Sequence, residues 1–240
     1  MNILITGVSR GLGFSLANFF IDKGNYIIGL SRKTNDNIKL LSSSYPKNFR
    51  HITCDLLKTN SIKQILYEDL LKDIELHSFV NNAAISYDDL ITNANYEKLN
   101  NMFQINVLSP IMITKLVIRN MILHKNRGSI VHISSISAHT GYKGLSMYGS
   151  TKGAIESFSK SCSREWGTYG IRSNCIVAGF METDMSSSLS LKQKNRIYNR
   201  MAKKEPVSID SVVRTVNYLI SNKHSKSVTG QNIFVDNGTL

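Results

Sequence analysis

Cysteine and proline are both scarce in this chain of 240 residues, and each scarcity excludes a class of protein. The three cysteines, Cys54, Cys162 and Cys175, are far apart and odd in number. They therefore predict neither a disulfide framework nor a zinc knuckle. The three prolines mark no interdomain linker, and the sequence contains no internal repeat. Because the six histidines are also dispersed, we expect no metal site.

A long apolar run is missing as well. No stretch approaches the roughly 20 residues that a membrane-spanning helix needs. The first six residues lead directly into a predicted strand and a glycine turn, which leaves no room for a cleavable signal peptide. We therefore expect a cytoplasmic protein without a membrane partner. Apolar residues at 42% and charged residues at 19% are ordinary for a folded chain, and we predict a single domain over residues 1–240.

Positive charge is what the chain has in excess, with a formal net charge of +12. The basic residues are spread along the sequence, which argues against a nucleic-acid partner and favours a solvated, lysine-rich surface. One local concentration has a second interpretation, because it could flank an anionic cofactor or substrate and steer it. Its members are Lys192, Lys194, Arg196, Arg200, Lys203 and Lys204.

Short apolar runs alternate with longer amphipathic ones, which is typical of β-α-β units and a parallel sheet. We predict strands at residues 3–5, 26–30, 49–54, 78–81, 129–133, 172–177 and 232–235. We predict helices near residues 12–23, 35–43, 61–73, 96–123, 147–169 and 209–222. This order indicates a doubly wound, seven-stranded parallel α/β sheet with helices on both faces. Ligands bind such sheets at the carboxyl ends of the strands.

A glycine-rich turn follows the first predicted strand. It reads Thr6-Gly7-Val8-Ser9-Arg10-Gly11-Leu12-Gly13. Glycines at these positions let the backbone turn tightly and approach a pyrophosphate closely. The helix that follows would offer unpaired N–H groups and its positive dipole end to the phosphates. Three glycines also fit a simple tight turn, but the position directly after a strand favours phosphate binding.

The second predicted strand ends in cations, with the sequence Gly29-Leu30-Ser31-Arg32-Lys33. NAD-binding proteins usually place a carboxylate at this point on the ribose hydroxyls, whereas the 2′-phosphate of NADP calls for an arginine or lysine. Arg32 can pair with that phosphate bidentately, and Arg10 is a second cation within reach. The alternative is that Arg32 and Lys33 are only exposed loop charges. We predict NADP(H) in preference to NAD(H).

Tyr148 and Lys152 are four residues apart in a predicted helix and therefore share one of its faces. A carbonyl that receives a hydride needs a proton donor, and a phenol with a pKa near 10 needs help from a neighbouring ammonium group. Ser135, at the end of the fifth predicted strand, could donate a hydrogen bond to the substrate oxygen. Ser134 and Ser137 compete for that role. The pair alone is weak, because this spacing is common on helix surfaces.

Together these motifs resemble those of the short-chain dehydrogenase/reductase family, in its tetramer-forming branch. The resemblance covers essentially the whole chain. It rests on the loop pattern TGxxxGxG and on Asn81-Asn82-Ala83-Ala84, Asn106, Ser135, Tyr148-Gly-Ser-Thr-Lys152 and Ala178-Gly179, which occur in the family's order. It implies a Rossmann-like fold, an NAD(P)-dependent oxidoreductase and a homotetramer. The family's usual proline is replaced here by Ala178.

The resemblance also implies individual roles. Its catalytic group corresponds to Asn106, Ser135, Tyr148 and Lys152, with the serine thirteen residues before the tyrosine. Asn106 matches an asparagine that kinks a helix and holds a water linking the lysine to solvent; alone, it would read as a surface asparagine. Residues 185–204 would form a substrate lid. Cofactor contacts are implied for Gly7, Ser9, Arg10, Gly11, Leu12, Gly13, Ser31, Arg32, Asp55, Leu56, Asn82, Ala83, Ala84, Tyr148, Lys152, Gly179, Met181 and Thr183.

Two segments resemble those of bacterial 3-oxoacyl-[acyl-carrier-protein] reductases within that family. They are Gly179-Phe-Met-Glu-Thr-Asp-Met185 and Phe158-Ser-Lys-Ser161 with Arg164-Glu165. The two arginines that dock the acidic carrier protein in those reductases correspond here to Asn126 and Tyr169. Lys125, Arg127 and Arg172 are neighbours that could substitute for them.

We therefore predict NADPH-dependent reduction of a ketone to a secondary alcohol, with a small or carrier-bound substrate that carries negative charge if the basic cluster contacts it. One alternative is a reductase of a keto-sugar nucleotide or another small carbonyl metabolite. An alternative of another class is a non-catalytic dinucleotide-binding sensor or structural subunit. Such proteins usually lose the tyrosine, lysine or serine, whereas this chain keeps Ser135, Tyr148 and Lys152.

Overall fold

A computed structural model describes residues 1–58, 62–64, 74–183, 186–187 and 189–240. Its strands are β1 Asn2–Thr6, β2 Tyr26–Ser31, β3 Phe49–Thr53, β4 Ser78–Asn81, β5 Ser129–Ser135, β6 Arg172–Ala178 and β7 Asn232–Val235. They form one seven-stranded sheet in the order β3-β2-β1-β4-β5-β6-β7, and every pairing is parallel. The predicted fold class is confirmed.

The helices alternate with the strands along the chain. They are α1 Gly11–Asp22, α2 Asp36–Ser44, α3 Tyr96–Phe103, α4 Ser109–Leu123, α5 Ser137–Thr140, α6 Ser146–Trp166, α7 Leu191–Tyr198 and α8 Ile209–Ile220. Short 3₁₀ turns lie at Ile91–Asn93 and Gly167–Tyr169. The helix predicted at residues 61–73 falls outside the described residues except for 62–64.

Two apolar clusters cover the two faces of the sheet. In β1, Ile3 and Ile5 belong to one cluster and Leu4 to the other, because successive side chains of a strand point to opposite faces. The first cluster contains the buried faces of α1 and α8, and the second contains that of α4. Burial on both faces explains why the middle of β1, Ile3–Ile5, is apolar at consecutive positions and does not alternate with polar residues.

Three local features differ from the sequence-based prediction. The predicted helix at 96–123 is interrupted by a π-helical turn, Gln104–Leu108, between α3 and α4. Strand β5 extends to Ser135, two residues beyond its predicted end. Helix α7 lies inside the segment predicted only as a lid. It is short and strongly polar, so its sequence carries little of the apolar periodicity that identifies a helix.

One described helical stretch, Tyr96–Leu123, is long and apolar enough to cross a membrane by length and composition alone. However, 67% of its most apolar window is buried inside the protein, as in the core helix of a soluble protein. The stretch packs against the sheet through α4, whose buried residues include Ile113, Val117 and Met121.

The sheet places a crevice between β1 and β4. From β1 the chain proceeds outward to β2 and β3, and then returns to the other side of β1 as β4. The helices that follow β1 and β4 therefore pack on opposite faces, α1 in the first apolar cluster and α4 in the second, which leaves a cleft at the carboxyl edge. The predicted functional residues lie on the loops around this cleft.

Candidate active site

A cavity of about 710 Å³ opens at the carboxyl edge of the sheet. Every residue predicted to contact the cofactor lines this cavity, and so does Ser135. Of the predicted catalytic group, only Asn106 does not line it. Its volume falls in the range of about 300–1,000 Å³ that is usual for ligand pockets. The structure thus brings the glycine-rich turn, Arg32 and the tyrosine–lysine pair into one site, whereas Lys33 does not line the cavity.

The glycine loop is fixed against the loop after β4. Gly7 has a φ of +77°, and a Cβ at Gly13 would lie 2.1 Å from the Gly7 carbonyl oxygen, so neither position tolerates a side chain. The backbone N–H groups of Asn82 and Ala83 both donate to the Thr6 hydroxyl at 3.0 Å. The Asn82 amide also donates to the Thr6 carbonyl at 3.0 Å. The loop and the start of α1 therefore form a preorganised cradle of the kind that binds a pyrophosphate.

The second-strand end of the cavity carries Ser31 and Arg32. The Ser31 hydroxyl donates to the Lys33 carbonyl at 3.0 Å and lies 2.8 Å from Nε2 of His51. The Asn35 amide donates to the Ser9 carbonyl at 2.8 Å and ties this end to the glycine loop. Arg32 is exposed at the rim. With no carboxylate at this strand end, the residues fit a 2′-phosphate better than a free ribose hydroxyl.

The opposite wall consists of β5 and α6. Lys152 is 5% exposed, and its Nζ donates to the Ile133 carbonyl of β5 at 2.8 Å. The same Nζ lies 5.6 Å from the centre of the Tyr148 ring. The Ser135 hydroxyl accepts a hydrogen bond from the Ser137 N–H at 3.2 Å. One helix face and one strand end thus bring an ammonium group, a phenol and a hydroxyl to the same wall.

The ionisation of this wall differs from the sequence-based expectation. Burial, followed by the charge of Asp88, raises the pKa of Tyr148 above its ordinary value, although a hydrogen bond with Ser135 opposes the shift. The sequence predicts that Lys152 lowers the pKa of Tyr148. In the protein without a bound cofactor, the pKa of Tyr148 is instead raised. Burial lowers the pKa of Lys152 to about 8, and electrostatic interactions with Cys175 and Glu156 oppose this shift. The phenol is consequently protonated at neutral pH, as a proton donor must be.

Asn106 lies behind the wall, in the π-helical turn. Its amide donates to the Ile85 carbonyl at 2.8 Å and to the Thr151 hydroxyl at 3.1 Å, and its oxygen accepts from the Ile85 N–H at 2.9 Å. Thr151 in turn donates to the Tyr148 carbonyl at 2.8 Å. Asn106 therefore joins α6 to the loop after β4. The structure favours a buried positioning residue over a surface asparagine.

Glu156 is a buried carboxylate whose place in the site is not predicted from the sequence. It lies one turn beyond Lys152 on α6 and is hydrogen-bonded by the Ser134 hydroxyl. His139 Nε2 lies 2.9 Å from its second oxygen, to which the Asn232 amide also donates at 2.7 Å. The Ser134 hydroxyl therefore donates its hydrogen bond to Glu156, whereas the Ser135 hydroxyl forms no such bond with this carboxylate. The spacing of Lys152 and Glu156 on one helix face was the available signal.

The loop after β6 forms the last wall of the cofactor cavity. The Gly179 N–H donates to the Val235 carbonyl at 2.9 Å, and Met181 and Thr183 line the cavity. The Ser186 hydroxyl accepts from the Thr183 N–H at 3.0 Å and donates to the Met181 carbonyl at 3.1 Å. Asp184 and Met185 lie outside the described residues.

The surface proposed for a carrier protein has fewer cations than the sequence suggested. Arg172 is 5% exposed, and its guanidinium donates to the Leu219 carbonyl at 2.8 Å and to the Asn222 side chain at 3.1 Å. It caps the end of α8, so its suggested role as a substitute docking arginine is wrong. Lys125 and Arg127 are exposed. Among the described residues, no group of three or more histidine, cysteine or acidic side chains lies together to hold a metal ion.

Comparison with known proteins places the chain among related sequences over nearly its full length. A family model described as enoyl-(acyl carrier protein) reductase matches residues 7–239. A 3-oxoacyl-[acyl-carrier-protein] reductase FabG of Buchnera aphidicola subsp. Schizaphis graminum is 32% identical over 235 residues, which cover 98% of this chain and 95% of that protein.

Solved structures show the same fold. ElxO with NADP bound is 26% identical, with a TM-score of 0.89 over 99% of this chain and 98% of that one. A mutant 4-hydroxyisoleucine dehydrogenase complexed with NADH and succinate has a TM-score of 0.93 over 100% of this chain and 98% of that one. At 21% identity, the latter likeness concerns the fold alone.

Proposed function

Because this chain belongs to the short-chain dehydrogenase/reductase family, we propose that it uses NADPH to reduce the ketone of a 3-oxoacyl group to a secondary alcohol. It is an NAD(P)-dependent oxidoreductase, as the sequence predicts. The observation that carries the proposal is the convergence of Ser135, Tyr148 and Lys152 on the cavity that the glycine loop and Arg32 also line.

In the proposed reaction, NADPH supplies the hydride when bound. Tyr148 donates its phenolic proton to the carbonyl oxygen as negative charge develops there. Ser135 donates a hydrogen bond to the same oxygen and orients the substrate. Lys152, anchored on the Ile133 carbonyl, provides positive charge near the phenol and lowers the cost of forming phenolate. Asn106 acts through position only, by holding α6 against the loop after β4.

NADPH is favoured over NADH by the charge at the end of β2. Arg32 lines the cavity there and Asp36 is the next acid along the chain, inside α2. A guanidinium group can bind a 2′-phosphate through two hydrogen bonds, whereas a carboxylate would repel it. The similar structure of ElxO with NADP bound supports the same preference.

The 3-oxoacyl group is proposed on the similarity to the 3-oxoacyl-[acyl-carrier-protein] reductases. Whether the acyl group arrives on a carrier protein is a separate question, since the two docking positions hold Asn126 and Tyr169 and the buried Arg172 cannot replace them. We therefore propose two kinds of substrate equally: a 3-oxoacyl thioester of a small thiol and a 3-oxoacyl group bound to a carrier protein. The proposed enzyme is a single-domain, cytoplasmic homotetramer.

The test measures oxidation of NADPH and NADH by the purified protein with the N-acetylcysteamine thioester of 3-oxobutanoate. We expect turnover with NADPH and a clearly lower kcat/KM with NADH. Arg32→Ala should raise the KM for NADPH about 10- to 100-fold, as expected for loss of a charge-assisted pair, and leave the KM for NADH unchanged.

Lys33→Ala is the matched control, because Lys33 is an exposed neighbour that does not line the cavity. It should leave both KM values within about twofold, as for a surface charge. Equal effects of the two substitutions would contradict the assignment of Arg32. Absence of turnover with either cofactor would contradict the proposed reaction.

A further inference from the structure

Helix α7 forms part of the wall of the cavity. Gln193, Arg196 and Ile197 line the cavity from α7, and Arg200 lines it from the turn that follows the helix. Within α7, the spacing of three and four residues from Gln193 to Arg196 and Ile197 is that of one helix face. Two arginines, one turn apart, therefore face the same cavity as Tyr148 and Ser135.

Contacts on the remaining faces of α7 fix this orientation. Lys194 Nζ lies 3.0 Å from a carboxylate oxygen of Glu182, and the Tyr198 hydroxyl donates to that oxygen at 2.8 Å. The Tyr198 ring also packs on the Phe180 ring, with centroids 5.8 Å apart. These contacts attach α7 to the loop after β6. At the start of the helix, a reciprocal capping box between Ser190 and Gln193 sets its first turn.

The basic cluster at residues 192–204 thus divides into two groups. Lys194 pairs with Glu182, and Lys203 lies 3.9 Å from Glu205. Lys192 and Lys204 are exposed and do not line the cavity. Only the two arginines of the cluster face the interior of the site.

Tyr142 and Lys143 also line the cavity. Lys143 lines the cavity from the segment between α5 and α6. The Arg200 guanidinium carbon lies 5.3 Å from the centre of the Tyr142 ring, which holds this side chain across the mouth. Between described residues, neither arginine nor Lys143 forms an ion pair.

The acids of the cavity lie elsewhere. Asp55 follows β3, and Asp88 is close enough to Tyr148 to raise the pKa of the phenol. Asp88 would repel an anion placed at the tyrosine. An anionic group is therefore favoured only towards α7, away from the reacting carbonyl.

We propose that Arg196 and Arg200, with Lys143, bind a carboxylate or phosphate carried by the ketone substrate. This inference rests on the proposed function and names the substrate class of the same site. The anion could be the carboxylate of a free oxo acid or a phosphate of the arm that carries a 3-oxoacyl thioester. Both groups accept the paired hydrogen bonds that guanidinium donates.

The test compares three ketones that share the acetoacetyl group. The N-acetylcysteamine thioester is neutral, acetoacetate carries a carboxylate, and acetoacetyl-coenzyme A carries phosphates. The variant R196Q/R200Q should lower kcat/KM about 10- to 100-fold for acetoacetate or for the coenzyme A thioester, chiefly through KM. It should leave the neutral thioester within about twofold. Loss on acetoacetate identifies a carboxylate, and loss on acetoacetyl-coenzyme A alone identifies a phosphate.

The variant K192Q/K204Q removes the same net charge from the same cluster outside the cavity. It should change none of the three kcat/KM values more than about twofold. Equal losses in the two double variants would overturn the proposal, because they would indicate steering by overall charge. A rise in the KM for NADPH of R196Q/R200Q equal to its loss on the anions would also overturn it, by placing the arginines on the cofactor.

Failure of the inference is distinguishable from failure of the proposed function. If the wild-type protein reduces the neutral thioester and R196Q/R200Q has unchanged kcat/KM for both anions, only the anion site is wrong. If the wild-type protein oxidises NADPH with none of the three ketones, the proposed reaction is wrong and the anion site falls with it. Unchanged melting temperatures of the variants show that any loss is local.

Discussion

Two walls of the same cavity are built in opposite ways. The reaction wall comes from β5 and α6, and α6 buries residues along most of its length, including Lys152 and Glu156. The substrate wall comes from α7, which buries none of its residues. Lys152 is 5% exposed, whereas Arg196 and Arg200 are exposed.

We infer from this difference that the reaction wall carries out proton transfer and that the substrate wall selects the ketone. Side chains on a helix that is packed into the core keep their positions, which proton transfer requires. Side chains on a solvated helix can change without disturbing the core, since surface substitutions usually alter stability by less than about 0.5 kcal/mol. We therefore expect changes in the first wall to abolish turnover and changes in the second to alter substrate preference.

Tyr148→Phe is the strongest test of the reaction wall. It removes the proposed proton donor and keeps the ring, so kcat should fall by about a thousandfold, within the range for general acid catalysis. NADPH should still bind, with an affinity within about tenfold of that of the wild type. Steady-state kinetics and a fluorescence titration with NADPH measure the two quantities.

Tyr142→Phe is the matched control, because Tyr142 lines the same cavity from the other side. It keeps the ring beneath Arg200 and should leave kcat within about twofold. If Tyr148→Phe retained a tenth of the wild-type kcat, the assignment of the proton donor would be wrong, and the two walls would no longer differ in function.

Glu156→Gln tests whether the core tunes the charge of Lys152. Burial lowers the pKa of Lys152 to about 8, while electrostatic interactions with Cys175 and with the Glu156 carboxylate oppose this shift. The kcat/KM for NADPH should therefore fall as pH rises through about 8, because the ammonium group loses its proton. Removing the Glu156 charge should move this fall to lower pH. A change of about one pKa unit would lower kcat/KM at pH 9 about tenfold.

Asn232→Ala is the control for that experiment. It removes a hydrogen bond to Glu156 but keeps the carboxylate charge. The pH profile should then keep its midpoint, even if the protein is less stable. A shift of the midpoint in Asn232→Ala as large as that in Glu156→Gln would mean that packing, not charge, sets the pKa of Lys152.

The reaction wall was largely predictable from the sequence and the substrate wall was not. Residues such as Ser135, Tyr148 and Lys152 follow an apolar strand or lie within an amphipathic helix, so their positions follow from periodicity together with the family resemblance. The polar α7 has no such periodicity, and its orientation depends on Glu182 and Phe180, which are distant in sequence from its far end.

The pKa values of the site residues also could not be predicted from the sequence. The pKa of Tyr148 depends on burial and on Asp88, and that of Lys152 on burial, Cys175 and Glu156. These depend on distances across elements that no sequence pattern encodes. Likewise, Arg172 reads as a surface cation beside a loop, yet it is buried against the end of α8.

Ser190→Ala should have the smallest effect and bears directly on the substrate wall. It removes the capping box of α7, which contributes about 1 kcal/mol to the helix. Because no residue of α7 is buried, the melting temperature should not change, but the helix should be formed less often. The kcat/KM for the ketone should fall about two- to threefold, while the KM for NADPH stays constant. Asn95→Ala removes the corresponding cap of α3, away from the cavity, and should leave both values unchanged. Equal kinetics for Ser190→Ala and the wild type would mean that the order of α7 does not limit substrate binding.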